Sequence, residues 1–237
     1  MLRKALLIGN TGGLPGVKQD IQKTRTFLES DVGGNWLSSE IVELTNPSRQ
    51  KLLVSLDLLK TQSVDFAFVL FSGHGGHVRE TVLELNPENE TISESVLCNL
   101  AQRQITIYDC CRVLIEERLE KSNMMHFTTA PPARNDGLRA RYEARVMQAI
   151  PQQVRLYACS VSQYAYDYGK GAVYLGHLLD SARAIEANES FKTVERAQEQ
   201  AYQLTVKTAE SKGHLQQPDA VLPKCLTQQQ LILAIRP

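Results

Sequence analysis

A histidine and a cysteine each follow a short apolar segment of the kind that forms a buried strand. His74 lies in Ser-Gly-His-Gly-Gly after the apolar run 64–71, and Cys111 lies in Asp-Cys-Cys-Arg after the run 104–108. A thiolate is a strong nucleophile, and a neighbouring imidazole can take its proton. The pair therefore predicts covalent catalysis by a cysteine. Taken one at a time, a strand-end histidine and a strand-end cysteine are more often packing residues.

Glycines flank the histidine in a way that suits a site open to a substrate chain. The neighbours of His74 include Gly73, Gly75 and Gly76. Glycine lets the backbone turn sharply and leaves room for a bound peptide, and its N–H group could help to hold an oxyanion. A second histidine, His77, could pair with His74 on a metal, but no third ligand follows at a suitable spacing. We therefore predict no metal site and no cofactor.

Another glycine-rich loop follows the first apolar segment of the chain. Residues 9–16 read Gly-Asn-Thr-Gly-Gly-Leu-Pro-Gly. This pattern is neither GxGxxG nor GxxxxGK[ST], and Val17 stands where a phosphate-binding lysine would be. We interpret the loop as a turn with room for substrate and not as a nucleotide site.

The elements that must position these residues alternate along the chain. Apolar runs predict strands at residues 4–8, 40–44, 64–71, 81–85, 104–108 and 154–158. Helical spacing of apolar residues predicts helices at residues 17–30, 48–59, 93–101, 113–121, 174–187 and 194–212. The alternation predicts an α/β fold with a mostly parallel sheet and helices on both faces. Neighbouring strands of such a sheet would bring His74 and Cys111 together at its carboxyl edge.

Residues 123–153 interrupt this alternation. They hold two consecutive prolines, an Asn-Asp-Gly turn and four arginines. About thirty residues without strand character is long for a loop, and such loops tend to be functional or mobile. We predict a mobile basic linker, part of which, residues 137–149, could form a helix.

The composition indicates which partners and which cellular compartment to expect. The 237 residues carry 26 basic and 26 acidic side chains, so the net charge gives no reason to expect nucleic acid or an anionic membrane as the main partner. No apolar stretch reaches the length of a bilayer span. The five cysteines include no CxxC pair and are odd in number, which indicates a reducing compartment. We expect a single-domain cytoplasmic protein.

Several segments, taken in order, resemble the clan of caspases, metacaspases and paracaspases. VLFSGHGG is similar to the clan's Ser-Gly-His-Gly motif, and YDCCR is similar to its Asp-x-Cys motif. ALLIGN with GLPGVKQD resembles the clan's first strand and helix. LYACSVSQYAYD resembles the start of its small subunit, and QQPDAVL resembles its terminal segment. The resemblance implies a caspase-like fold with a six-stranded sheet in one protease domain, 1–237. A large-subunit-like part would span 1–122, and a small-subunit-like part 154–237.

The same resemblance assigns catalytic roles. Cys111 would be the nucleophile, Cys110 its buried neighbour and His74 the general base. The N–H groups of Gly75 and Cys111 would hold the oxyanion. The chain lacks Gln-Ala-Cys-Arg-Gly, so cleavage after aspartate is not supported, and it lacks the His-Ser-Gly of eukaryotic metacaspases. A prokaryotic, metacaspase-like (orthocaspase-type) protease fits better.

An acidic pocket is also implied for the residue before the scissile bond. Its acids correspond to Asp20 and Asp109, and further wall positions correspond to Ser72 and Val17. Two carboxylates in one pocket favour arginine or lysine, with arginine preferred for bidentate pairing. The alternative is that Asp20 only stabilises a helix N-terminus. Asp167 lies where the family has another aspartate, and its role stays open.

The basic linker gains a second interpretation from such a pocket. Self-cleavage could occur after one of its arginines, Arg134, Arg139, Arg141 or Arg145. The alternative is a charged, solvated helix face. Tyr164, Tyr166 and Tyr168 also have two interpretations: a substrate groove, or core packing, which is the expected case.

These observations favour a cysteine endopeptidase that acts on protein or peptide substrates after Arg or Lys. We expect a regulated effector of bacterial stress or antiviral defence, with an activating or recruiting protein partner. Dependence on calcium is not readable from the sequence. The alternative from another class is a non-catalytic caspase-fold scaffold or regulatory module, and the presence of both His74 and Cys111 counts against it.

Overall fold

The computed structural model describes residues 1–114 and 136–237. The strands are β1 (Arg3–Gly9), β2 (Ile41–Thr45), β3 (Phe66–Ser72), β4 (Gly75–His77), β5 (Thr81–Glu84), β6 (Thr91–Ser93), β7 (Arg103–Asp109), β8 (Gln152–Tyr157), β9 (Phe191–Thr193), β10 (Asp219–Val221) and β11 (Ile232–Ile235). The helices are α1 (Gly16–Glu29), α2 (Arg49–Thr61), α3 (Asp136–Gln148), α4 (Val173–Arg183) and α5 (Val194–Glu210). Short 3-10 turns occupy Ser38–Glu40, Glu94–Leu97 and Thr227–Gln229.

A six-stranded sheet forms the centre of the fold, in the order β10-β8-β7-β3-β1-β2. All neighbours in it are parallel except β10, which runs antiparallel to β8. The central strand β3 is buried at all seven residues, as its unbroken apolar sequence requires. The predicted α/β fold with a mostly parallel six-stranded sheet is confirmed.

Helices cover both faces of the sheet, as predicted. One core cluster packs the sheet against α1, α3, α4 and α5. The opposite cluster packs it against α2 and the small sheet β4-β5-β6. The predicted strand at 81–85 belongs to this small sheet, and β10 is the sixth strand of the large one. Strands of three or four residues are too short to show a period, which is why β10 was not predicted as a strand from periodicity.

One predicted helix differs from the structure, and another cannot be compared over most of its length. Residues 93–101 form only the 3-10 turn Glu94–Leu97. The predicted helix 113–121 lies mostly outside the described residues, and Leu114 forms a bridge with His77 instead of starting a helix. Apolar spacing is a weak guide in such short segments because adjoining strands compete for the same backbone.

Helix α3 occupies much of the segment that was predicted as a mobile linker. Its apolar face buries Leu138, Tyr142 and Val146 in the core. The expected helix at 137–149 is therefore confirmed, and the linker interpretation does not hold for α3 or for β8, which begins at Gln152. None of the helices in the described parts of the chain is both long and apolar enough to span a membrane.

Candidate active site

The strands β3 and β7 bring the candidate histidine and cysteine segments side by side. Ser72 lies opposite Asp109 in the parallel register. Beyond the strands, the Gly73 N–H donates to the Asp109 carbonyl at 3.1 Å, and the His77 N–H donates to the Val113 carbonyl at 2.8 Å. These two hydrogen bonds flank the positions of the histidine and the cysteine. Both residues therefore lie at the same edge of the sheet.

The ring of His74 is exposed, and one of its nitrogens is held by the backbone. Nε2 lies 2.8 Å from the carbonyl oxygen of Gly12. A carbonyl oxygen can only accept a hydrogen bond, so the proton of the neutral ring lies on Nε2. Nδ1 then carries the lone pair, which makes it the nitrogen able to take a proton.

Cys111 is partly exposed, whereas the adjacent Cys110 is 2% exposed. The Cys111 Sγ lies 3.8 Å from the carbonyl oxygen of Ala165. Burial and the charge of Asp109 raise the pKa of Cys111. The resting thiol is therefore protonated at neutral pH, and a base must remove its proton during attack. Burial raises the pKa of Cys110 well above its usual value, which leaves Cys111 as the more reactive thiol.

The residue proposed for the oxyanion site, Gly75, begins β4 next to the cysteines. A Cβ atom added at Gly75 would lie 2.7 Å from the Cys110 Sγ. Only glycine at this position lets β4 approach the end of β7 so closely. The second oxyanion candidate, Cys111, follows β7 directly.

Two of the predicted pocket residues, Asp20 and Ser72, are in contact, and a third, Val17, lies on the same helix as Asp20. Asp20 is 2% exposed, on the buried face of α1 together with Val17. Its carboxylate accepts hydrogen bonds from the Ser72 hydroxyl at 2.7 Å and the Ala172 N–H at 2.8 Å. Asp20 therefore does more than stabilise a helix N-terminus. The sequence signal for Asp20 was its place in the segment GLPGVKQD, which resembles the clan's first helix.

Asp109 is the second buried carboxyl, with 4% of its surface exposed. It accepts a hydrogen bond from the Leu175 N–H at 3.1 Å, in the first turn of α4. The N-terminus of a helix favours a negative charge. The two predicted acids therefore both bind N–H groups at the start of α4, and Asp109 is two residues before the candidate nucleophile.

Asp167 adds a third carboxyl, whose role the sequence left open. It accepts hydrogen bonds from the N–H groups of Gly169 at 2.7 Å and Lys170 at 3.2 Å. A Cβ atom added at Gly16 would lie 1.6 Å from an Asp167 oxygen, so any side chain there would displace the Asp167 carboxylate. Sequence reasoning missed this contact because the two residues are far apart in the chain.

These carboxyls carry raised pKa values. Burial raises the pKa of Asp20 to about 6, with a further contribution from the charge of Asp167, against the hydrogen bonds from Ser72 and Ala172. Burial and then the charge of Asp20 raise the pKa of Asp109 well above its usual value. A bound cation would lower both values, so the site is suited to a guanidinium or an ammonium group.

The arginines considered for self-cleavage have different surroundings. Arg139 forms ion pairs with Glu40 at 2.6 Å and Glu143 at 2.9 Å. Arg145 is 7% exposed and lies 4.3 Å from the ring of Phe191. Cleavage after either residue would require α3 to unwind. The other two candidates are Arg141, which is exposed on α3, and Arg134, which lies outside the described residues.

The three tyrosines after β8 do not form a core. Tyr164 is 54% exposed and Tyr168 is 39% exposed, so the expected core packing is wrong for these two. Tyr166 stacks on His214 with ring centroids 4.3 Å apart. Because Ala165 contacts Cys111, this aromatic row adjoins the candidate nucleophile.

Comparison with known proteins identifies the family and the fold. The sequence matches the Caspase domain family over residues 2–219. No curated protein matches the sequence significantly. The fold is similar to caspase-1 of Spodoptera frugiperda, with a TM-score of 0.59 and 9% identity over 92% of this chain and 85% of that one. It is also similar to a protein of Geobacter sulfurreducens, with a TM-score of 0.58 and 14% identity over 100% of this chain and 98% of that one. Because the family match spans most of its length, the chain belongs to the caspase domain family of cysteine peptidases.

Proposed function

We propose that this protein is a cysteine endopeptidase that cleaves after Arg or Lys, with Cys111 as nucleophile and His74 as base. The main support is the placement of the two segments at one sheet edge, beside the buried carboxyls of Asp20 and Asp109. A catalytic pair and an acidic pocket at the same strand ends suit a protease for basic residues.

The proposed reaction begins with proton transfer. His74 Nδ1 takes the proton of the Cys111 thiol as the sulfur attacks the carbonyl carbon of the scissile peptide bond. The N–H groups of Gly75 and Cys111 stabilise the resulting oxyanion. The imidazolium then gives its proton to the leaving amine, and a thioester forms. Water hydrolyses the thioester, with His74 again as the base, and the thiol is regenerated.

Specificity in this proposal comes from charge and hydrogen bonding in the pocket. A guanidinium would pair with the ionised carboxylates of Asp20 and Asp109, with Ser72 and Val17 as further walls. Arginine is favoured over lysine because its planar fork can bond two carboxylate oxygens at once. A neutral or acidic side chain would leave buried carboxyls without a counter-charge.

The biological role is proposed on the resemblance alone. We propose a prokaryotic, metacaspase-like enzyme of the cytoplasm that acts in stress or antiviral defence, is switched on by a protein partner and needs no cofactor. Self-processing would occur in the region between the large-subunit-like and small-subunit-like parts of the chain.

The test is labelling with a peptide acyloxymethyl ketone that carries arginine next to its reactive group. We expect one label per chain, on Cys111, and no label on the Cys111→Ala variant; Cys110→Ala is the matched control that should still react. A peptide library with varied residues before the scissile bond would give the specificity. Folded protein that neither reacts nor cleaves would indicate the scaffold instead, and a preference for aspartate would refute the pocket.

A further inference from the structure

We propose that Asn10 is a positioning residue for His74, acting through a closed ring of four hydrogen bonds that includes Gly12 and Glu84. The inference rests on the proposed function, because His74 must act as the base. It gives the Gly-Asn-Thr-Gly loop a role beyond that of a turn with room for substrate.

The ring begins and ends on the histidine. His74 Nε2 donates to the Gly12 carbonyl at 2.8 Å, and the Gly12 N–H donates to Asn10 Oδ1 at 2.9 Å. Asn10 Nδ2 donates to Glu84 Oε1 at 3.1 Å, and the Glu84 N–H donates to the His74 carbonyl at 3.1 Å. The imidazole and the backbone of the same residue are therefore held by one connected unit.

The amide of Asn10 is fully buried and fully used. Asn10 is 0% exposed. Besides its bond to the Glu84 carboxylate, Nδ2 donates to the Glu84 carbonyl at 3.0 Å, so both N–H bonds and the oxygen have partners. A buried amide is tolerated only when its polar atoms are paired, and a complete network of this kind fixes one geometry. Packing alone would need no amide here.

Close approach of the surrounding backbone makes the ring possible. A Cβ atom added at Gly73 would lie 2.8 Å from the Asn10 Cβ, so glycine is required beside the histidine for Asn10 to fit. The Asn10 N–H also donates to the Ser72 carbonyl at 2.9 Å. Asn10 is thus fixed to the end of β3, the strand that carries His74.

A second asparagine braces the same loop without joining the ring. Asn46 accepts from the Thr11 N–H at 2.8 Å and donates to the Thr11 hydroxyl at 2.8 Å. It lies on the other side of the loop and makes no contact of this kind with Gly12. Asn46 therefore provides a matched control for loop rigidity. Its φ of 46° is in the left-handed region, so the control substitution is glycine.

The ring has a chemical consequence for the base. A fixed Gly12 carbonyl keeps the proton on Nε2 and leaves Nδ1 free for the thiol. When His74 gains a second proton, the same carbonyl accepts a charge-assisted hydrogen bond from the imidazolium. Without Asn10 the Gly12 peptide loses its anchor, so proton transfer should suffer while the substrate pocket stays intact.

The experiment measures peptide turnover and the pH dependence of Cys111 alkylation by iodoacetamide. We expect Asn10→Ala to lower kcat for an arginine peptide by roughly 10- to 100-fold, by analogy with residues that orient metal-binding histidines, with KM little changed. Alkylation of Cys111 at pH 7 should become slower, and the midpoint of the plot of alkylation rate against pH should move to higher pH. Asn46→Gly should lower the melting temperature without moving that midpoint.

A donor–acceptor exchange tests the side-chain bond of the ring directly. Asn10→Asp keeps the acceptor for the Gly12 N–H but faces Glu84 with a second carboxylate. Adding Glu84→Gln restores a donor for the side-chain bond, while the bond to the Glu84 carbonyl stays lost, so the double variant should recover part of the kcat that Asn10→Asp loses. This comparison also serves if Asn10→Ala fails to fold.

Three results would overturn the inference. They are an unchanged alkylation profile in Asn10→Ala, the same shift of the profile in Asn46→Gly, and no recovery in the double variant. Alkylation keeps this test separate from the proposed function. If His74→Ala alters alkylation but the protein cuts no arginine peptide, the protease proposal fails and the ring is still judged by the Asn10 profile. If His74→Ala leaves alkylation unchanged, the dyad and the ring fail together.

Discussion

At the scale of single residues, the candidate pocket concentrates buried negative charge. Burial raises the pKa of both Asp20 and Asp109; the charge of Asp20 raises that of Asp109 further, and Asp167 adds to both effects. Lys23 acts in the opposite direction on Asp20, from the exposed side of α1. Buried like charges destabilise a fold, so their retention is explained best by a cationic ligand that neutralises them.

The first residue-scale prediction concerns protons. A bound arginine side chain lowers the raised pKa of Asp20, which is about 6 in the unliganded protein, so binding near that pH should release protons. Affinity should therefore increase as pH rises through about 6, by roughly tenfold per pH unit below that value when one proton is involved. Titration calorimetry on the Cys111→Ala variant from pH 5 to 8, in buffers of different ionisation enthalpy, measures both effects. A citrulline peptide, which is neutral, should bind weakly and without this pH dependence.

The second residue-scale prediction concerns stability. Folding raises the pKa of Asp20 from 3.8 to about 6, so the folded state binds the proton more tightly than the unfolded chain does. The folded protein therefore loses stability as pH rises through this window, and it stays less stable above it. Asp20→Asn should raise the free energy of unfolding at pH 8 by about 1–3 kcal/mol, with little gain at pH 4. Urea denaturation measures this, with exposed Asp57→Asn as control; a less stable variant at pH 8 would contradict the assignment.

At the scale of elements, the packing of α3 bears on both interpretations of the basic linker. Its arginines were candidates for cleavage or for a solvated helix face. Arg139 and Arg145 fit neither description fully, because one is held by two carboxylates and the other is buried against an aromatic ring. Only Arg141 lies on an exposed face in the described part of this segment. A protease requires an extended backbone at the scissile bond, and a packed helix does not provide one.

The element-scale prediction follows for any self-processing. We expect fragments that depend on Cys111 to begin before Asp136, so that α3 stays whole in the C-terminal fragment. N-terminal sequencing of that fragment locates the cut, and Cys111→Ala is the control that should remain intact. A cut after Arg139 or Arg145 would show that α3 unwinds in the active protein. Fragmentation of the Cys111→Ala variant at the same bond would remove self-processing altogether.

At the scale of the whole molecule, residues 1–114 and 136–237 pack into one core, and the buried side chain of Arg3 contacts both parts. Arg3 of β1 is 0% exposed and lies 4.5 Å from the ring of Trp36 and 5.5 Å from that of Tyr142 on α3. Its guanidinium donates to the carbonyls of Gly34 at 2.9 Å and Asn35 at 3.0 Å. The first strand is thus fixed to the helix that follows the undescribed residues.

The corresponding prediction is a large loss of stability on truncation of this cation. Arg3→Ala should lower the free energy of unfolding by about 2–5 kcal/mol, because it leaves a cavity beside the two rings and removes the donor to the buried Gly34 carbonyl, while Glu40 keeps its ion pair with Arg139. Arg141→Ala, on the exposed face of α3, should change it by less than about 0.5 kcal/mol. Chemical denaturation of both variants makes the comparison. Equal effects would mean that Arg3 does not join the two parts.

The sequence alone determined five of the six strands of the large sheet, all but β10, and the chemistry at their ends. The strands around His74 and Cys111 were predictable because continuous apolar runs mark strands buried on both faces. Asp20 was assigned through the resemblance of the local motif GLPGVKQD to the caspase clan. These features are local, so they can be read from residue types and their spacing.

Only the tertiary structure decided how side chains distant in sequence are paired. The ring that joins Asn10, His74 and Glu84 spans 74 positions, and no local pattern announces it. The packing of α3, the contact of Gly16 with Asp167 and the exposure of the tyrosines also depend on neighbours that folding supplies. The physical reason is that the burial and hydrogen bonding of a polar group depend on all the elements packed around it, whereas periodicity records only the element to which it belongs.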